Sequence, residues 1–212
     1  MKIALIGASG YVGSQLLNEA LSRGHEVTAI VQHPEKLPAH ANLHGLAVNV
    51  LDQAALTTAL KGHAAVISAF SGHAESDVRG YYGRGIESIV AAVKAAAVPR
   101  LLVVGGAGSL EVAPGVQLVD TPEFPAQWKA TAEGARDTLN RLRAEPVLDW
   151  SLLSPAAMLQ PGERTGKFRL GGDQLLVDAQ GESRISVQDY AVAMLDELEQ
   201  PRHSRQRFTV AY

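Results

Sequence analysis

The chain is 212 residues long, 46% apolar and 19% charged, with a formal net charge of -3 and no cysteine. That length supports one sizeable core without forcing a split, and the balance is that of an ordinary globular protein. The charge gives no electrostatic footprint for nucleic acid or an anionic membrane, and the lack of cysteine excludes disulfides, thiolate metal sites and a cysteine nucleophile.

Lys2-Ile-Ala-Leu-Ile6 reads as a short buried parallel strand. It runs into Gly7-Ala-Ser-Gly10-Tyr-Val-Gly13, and then into Ser14–Ser22, where Leu16, Leu17, Ala20 and Leu21 follow a helical period. Strand, glycine turn and helix N-terminus together form a pyrophosphate cradle. Glycine allows positive φ and close backbone approach, and the unpaired N–H groups of the first helical turn face the anion. The turn therefore predicts dinucleotide binding. With a strand signal starting at residue 2 no targeting segment is expected. The longest apolar stretch, Ile89–Val98, is broken by Lys94 and too short to span a bilayer. A cytoplasmic protein is the expectation, with neither membrane nor nucleic acid as partner.

His25–Val31 is the second strand, entered through Gly24 as the C-cap of the first helix. Asn42–Val50 reads as the third, Gln53–Leu60 as a short helix ending at Gly62, and Ala64–Phe70 as the fourth strand. Gly85–Ala97 follows as a helix with Ile86, Ile89, Val90 and Val93 on one face, then Arg100–Val104 as the fifth strand. A helix over about 126–143 sets Trp128, Ala132, Ala135, Leu139 and Leu142 on one stripe, with the pair Asp137/Arg141 on its other side. Leu148–Leu153 is the sixth strand. Lys167–Leu170 and Leu175–Val177 then suggest a small hairpin across Gly171-Gly172, followed by a helix over Gln188–Glu199 and a strand over Arg207–Val210. This alternation predicts an α/β, Rossmann-type, doubly wound and mostly parallel sheet, with right-handed crossovers, helices on both faces and a small C-terminal hairpin/helix extension. Without repeats or a long linker, residues 1–212 read as a single NAD(P)-binding Rossmann domain, with about 154–212 as its substrate-side extension.

In such a sheet the ligand lies beyond the carboxyl ends of the strands, so the chemistry belongs to the segments that follow them. Gly7, Ser9, Gly10, Tyr11, Val12 and Gly13 supply the turn. After the second strand stand Gln32, His33 and Lys36. No acid occupies the place that usually holds the ribose 2′-OH, which favours NADP(H) over NAD(H); alternatively Gln32 accepts either ribose and Lys36 is solvated. Asn49, Val50 and Leu51 border the adenine, with Asp52 either beside them or simply capping the next helix. Ala69, Phe70 and Ser71 pass beneath the adenosine ribose towards the nicotinamide. Gly105 and Gly106 offer a small-residue surface for a flat ring, and Pro155 and Ala156 close the nicotinamide pocket.

Gly7-Ala-Ser-Gly-Tyr-Val-Gly13 resembles the cofactor turn of the atypical short-chain dehydrogenase/reductase superfamily. The resemblance continues through Val103–Leu110, Asp149–Pro155, Pro161–Lys167 and Ser183–Ala191, and so spans essentially the whole chain. These segments are similar to the proposed NAD(P)H-dependent flavin reductases, a group akin to biliverdin-IXβ/flavin reductase and to NmrA-like proteins. Superfamily members typically carry a Tyr-x-x-x-Lys pair after the fifth strand, but here Phe124-Pro-Ala-Gln-Trp128-Lys129 has no tyrosine. That departure argues against carbonyl/alcohol chemistry and suits a flavin, which takes hydride at a ring nitrogen and asks the protein chiefly for stacking and alignment.

The resemblance thus implies hydride transfer from NADPH to a small planar acceptor, with FMN or riboflavin as substrate rather than prosthetic group. Ser109 is the expected hydrogen-bonding residue, or a turn cap. Lys129 supports developing negative charge, or is solvated. Phe124, Trp128 and Met158 are pocket walls, with core packing the alternative for Trp128. A non-catalytic NAD(P)(H)-binding redox sensor of the NmrA-like type fits the missing tyrosine equally well. A sugar-nucleotide epimerase fits less well, because the segment after the sixth strand is short. No metal site is expected: His40 and His44 lie on a loop with no carboxylate beside them. Gly162–Lys167 is too short for a P-loop, no Gly-x-Ser-x-Gly elbow occurs, and Asp189 reads as a structural first-turn acid. A monomer or a homodimer is compatible with the pattern.

Overall fold

The computed structural model describes residues Met1–Tyr212. In chain order it contains β1 (Lys2–Ile6), α1 (Tyr11–Ser22), β2 (Glu26–Val31), β3 (Leu43–Ala47), α2 (Gln53–Leu60), β4 (Ala65–Ser68), α3 (Val78–Ala95) and β5 (Arg100–Val104). There follow β6 (Glu111–Ala113), β7 (Val116–Gln117), α4 (Ala126–Arg143), β8 (Asp149–Ser154), β9 (Met158–Gln160), β10 (Arg169–Gly171), β11 (Arg184–Ser186), α5 (Val187–Glu199) and β12 (Gln206–Ala211). The main sheet has eight strands in the order β10-β12-β8-β5-β4-β1-β2-β3. Every neighbouring pair is parallel except β10 with β12. The order reverses direction between β1 and β4, the switch point at which a doubly wound sheet opens a crevice.

The strands are apolar without alternation because both faces are covered. Ile3 and Leu5 of β1 point into a core shared with α1 and α5, while Ala4 and Ile6 point into a second core under α2, α3 and α4. Each fully buried leucine or isoleucine contributes about 1.5–3 kcal/mol, and Trp150, Tyr190 and Phe208 are the largest side chains fully enclosed. No helix is long and apolar enough to cross a membrane.

Two segments depart from the sequence expectation. The helix expected from Gly85 starts at Val78, capped by Asp77, whose Oδ1 accepts from the Gly80 N–H at 2.9 Å. Glycine at position 85, poor in a helix, leaves room for the Phe70 ring: a Cβ there would lie 2.1 Å from Phe70 Cε1. The two arms of the expected hairpin do not pair with each other. Arg169–Gly171 instead covers the edge of β12, and the Leu175 N–H donates to the Glu111 carbonyl at 2.9 Å. An open β12 edge is the stronger template, because its backbone groups need partners. Two small sheets, β6 with β7 and β9 with β11, complete the structure.

Candidate functional site

The site begins at the glycine turn. Gly7 has φ +79°, and a Cβ on Gly13 would fall 2.0 Å from the Gly7 carbonyl oxygen. The turn thus brings the start of α1 onto the end of β1, at a distance only glycine permits. The Gly10 N–H closes the turn on the Gly7 carbonyl at 3.0 Å, and the first helical bond runs from Ser14 N–H to the Gly10 carbonyl. The N–H groups of Tyr11, Val12 and Gly13 have neither backbone nor side-chain acceptors, and no acid lies in the first turn. This is a donor set suited to a diphosphate, placed at the positive end of the helix.

From the turn, a cleft of about 670 Å³ runs across the ends of β2 and β3. Its walls include Gly7, Ser9 and Gly10, then Gln32 and His33, Asn49 and Val50, and finally Ala69, Phe70 and Ser71. The structure therefore brings together residues expected from four separate strand ends. Leu51 is exposed beside the cleft, its N–H donating to Asn49 Oδ1 at 3.0 Å. Lys36 stands exposed in the turn after His33, and His33 Nδ1 lies 3.1 Å from Glu35 Oε1, a carboxylate that the sequence reading did not weigh.

Gly105, Gly106, Pro155 and Ala156 are not walls of this cleft; they lie beyond β4, at the ends of β5 and β8. The Gly105 N–H donates to the Leu153 carbonyl at 2.8 Å, and Pro155 and Ala156 are buried. On α4 and β9 the chain leaves apolar surface uncovered. Trp128, expected on the apolar stripe of α4, is 54% exposed, because burial along that helix begins only at Ala132. Met158 on β9 is exposed, Phe124 is half-buried and Lys129 is exposed. Ser109 is buried: its Oγ accepts from Arg207 Nη1 at 3.4 Å, while Arg207 Nε donates to Asp173 Oδ1 at 2.7 Å. Burial holds the Arg207 guanidinium below its ordinary pKa, against the pull of Asp173.

Tyr82 and Tyr190 do not replace the missing acid. Tyr82 donates to the Val104 carbonyl at 3.3 Å, and burial pushes its pKa up to about 12. Tyr190 donates to the Leu153 carbonyl at 2.7 Å and is also raised by burial. The cleft walls that the sequence reading missed are chiefly Ala74, Glu75 and Tyr81. Their signal was Asp77, a helix cap that would have placed Tyr81 one turn into α3, above the end of β4.

The family described as NAD(P)H-binding matches the chain over residues 7–198. Uncharacterized protein YwnB of Bacillus subtilis is 44% identical over 215 aligned residues, covering 99% of this chain and 98% of that protein. A solved structure from Bacteroides thetaiotaomicron, described as a candidate epimerase, is 47% identical with a TM-score of 0.93, covering 100% of this chain and 96% of that one. Another, a candidate NADH-flavin reductase from Streptococcus pneumoniae, is 36% identical with a TM-score of 0.88, covering 100% of this chain and 99% of that one.

Proposed function

The chain belongs to the NAD(P)H-binding family, and on that premise we propose that it is an oxidoreductase that uses NADPH to reduce a flavin or similar planar acceptor. The observation that carries the proposal is the glycine turn opening directly onto a cleft of about 670 Å³ lined from the ends of β1 to β4. Bound there, the reduced dinucleotide supplies a hydride. In this reading the free N–H groups of Tyr11, Val12 and Gly13 hold its diphosphate. Gln32, His33 and Lys36 face the adenosine 2′ position, Asn49, Val50 and Leu51 the base, and Ala69, Phe70 and Ser71 the ribose.

Gly105, Gly106, Pro155 and Ala156 back the nicotinamide ring in the same reading, and Trp128, Phe124 and Met158 give the acceptor an apolar surface. The exposure of Trp128 supports this, since an indole beside an open site has area available for stacking. Lys129 stabilises negative charge gathering on the reduced acceptor. Ser109, turned towards Arg207, acts by holding the loop after β5 in shape rather than by touching the acceptor.

The name of the Streptococcus pneumoniae protein supports a flavin acceptor and specifies NADH for that protein; here Gln32, in place of a carboxylate, favours NADPH. The epimerase name of the Bacteroides protein is less compatible with a chain whose helix after β5 begins without a tyrosine. The test is oxidation of NADPH and NADH followed with and without FMN or riboflavin. Acceptor-dependent oxidation that favours NADPH is expected. Tight cofactor binding with no oxidation by any flavin would overturn the enzymatic reading in favour of a redox sensor.

A further inference from the structure

The chain has five tyrosines, and four of their hydroxyls have partners within the protein. Tyr11 donates to the Leu159 carbonyl, Tyr82 to that of Val104 and Tyr190 to that of Leu153, while Tyr212 bonds Ser186 and Asp189. Tyr81 is the exception. It is only 7% exposed, it is a wall of the cleft, and its hydroxyl has no hydrogen-bond partner in the protein. Its ring packs edge-on against Phe70, with centroids 5.3 Å apart and planes at 61°. Phenylalanine would make that same contact, so packing does not account for the hydroxyl. The hydroxyl is not sealed off, Arg100 Nε being the single buried side-chain polar atom without a partner; it opens on the cleft, where water serves it until a ligand brings an acceptor and replaces that water.

The register of α3 says which part of a ligand arrives there. Ser88 stands seven residues after Tyr81, close to two helical turns, and so lies on the same face of the helix. Its Oγ donates to the Val50 carbonyl at 2.6 Å, which places that face over the chain leaving β3. Tyr81 therefore stands across the cleft from Asn49 and Val50, on the β3 side of the glycine turn and away from Gly105 and Pro155.

We infer that the Tyr81 hydroxyl is a hydrogen-bond donor to the adenosine half of the bound dinucleotide, satisfied by an acceptor atom of the base or its ribose. The inference rests on the dinucleotide reading above and adds a residue to it. Tyr81 makes no contact with the hydride acceptor; it discriminates adenosine-bearing ligands from others of similar size.

Tyr81→Phe tests this, with NADPH, adenosine monophosphate and nicotinamide mononucleotide titrated by calorimetry into the wild type and the variant. The variant is expected to bind NADPH and adenosine monophosphate about fivefold to tenfold more weakly, the loss of one neutral hydrogen bond. Binding of nicotinamide mononucleotide and the melting temperature of the ligand-free protein are expected to stay as in the wild type. Equal NADPH binding by the two proteins overturns the inference, as does an equal loss for both half-molecules or a lower melting temperature without ligand. A wild type that binds no dinucleotide overturns the proposed function itself. A wild type that binds and a variant that binds equally well overturn only the role of Tyr81.

Discussion

Arg164 lies across Glu19, its Nε and Nη2 each 2.7 Å from a different carboxylate oxygen, and so ties the loop between β9 and β10 to the last turn of α1. The same carboxylate accepts from Arg23 Nε at 2.8 Å and is only 6% exposed. A paired arginine geometry of this kind fixes direction as well as distance. It couples the loop to the helix whose other end carries the free N–H groups of Tyr11, Val12 and Gly13.

The Arg164 hydrogen bonds, joined by Arg23, hold the Glu19 carboxyl below its ordinary value of 4.5. A depressed carboxylate stabilises the fold above the pKa of the unfolded chain, and that contribution is lost as pH falls through the folded value. Glu19→Gln should therefore cost about 1–2 kcal/mol at pH 7, because Arg23 keeps Asp196 and Glu199 and Arg164 turns to solvent. Urea unfolding across pH should show the gap between wild type and variant closing below about pH 4.5.

Gly10 and Gly13 should respond differently to alanine. At Gly10 the added Cβ meets only the Gly7 carbonyl oxygen, at 3.3 Å, whereas at Gly13 it would lie 2.0 Å from that same atom. Gly10→Ala is expected to leave unfolding within about 0.5 kcal/mol of wild type while weakening NADPH binding. Gly13→Ala should lose roughly 2–3 kcal/mol of stability through backbone overlap. Paired melting and cofactor titrations distinguish the two, and equal stability losses would show that both glycines serve the fold alone.

His33 sits at the cleft with Glu35 held against it, so a negative charge stands close to where a 2′-phosphate would lie. Glu35→Gln is expected to tighten NADPH by about twofold to fivefold, the scale of an exposed charge interaction, and to leave NADH unchanged. An equal effect on both cofactors would place the phosphate elsewhere. The effect should shrink at high salt.

The Tyr82 phenol, pushed up by burial to about 12, favours its protonated form in the folded state. The stability this gives is present below the ordinary value of 10.0 and is lost as pH rises from there towards 12. Absorbance titration should therefore show Tyr82→Phe removing a phenol that ionises only near the alkaline unfolding transition. Hydride transfer in that variant should keep the wild-type pH profile, since Tyr82 is not the proton source.

The glycine turn and the cleft beside it were legible because their signals are local. Gly7, Gly10 and Gly13 lie within one turn of chain, and each strand end is marked by the apolar run before it. The side where we place the acceptor was less legible, because the residues assigned to it come from distant segments. Nothing near Ser109 announces that Arg207 will reach its hydroxyl across 98 positions. Trp128 shares the helical period of Ala132 and Leu139, and periodicity alone does not tell where a helix begins to overlie the sheet. The start of α3 was hidden by glycines that count against a helix locally; Gly85 is explained only once Phe70 is seen packed against it.

The position of β12 between β8 and β10 imposes an order of assembly. Strands β1, β2 and β3 pair in succession, β4 then returns to β1 with Ala65 opposite Ile3, and β5 joins β4, so the glycine turn and its cleft are complete by the end of β5. The floor beneath Ser109 waits for Arg207 and Asp173, which must find it across a long stretch of intervening chain. Contacts near in sequence form sooner than those closing large loops. A nascent chain can thus shape the glycine turn and its cleft while the side of Ser109 is still open, and a ligand held at the turn would bias the remaining strands towards their final places.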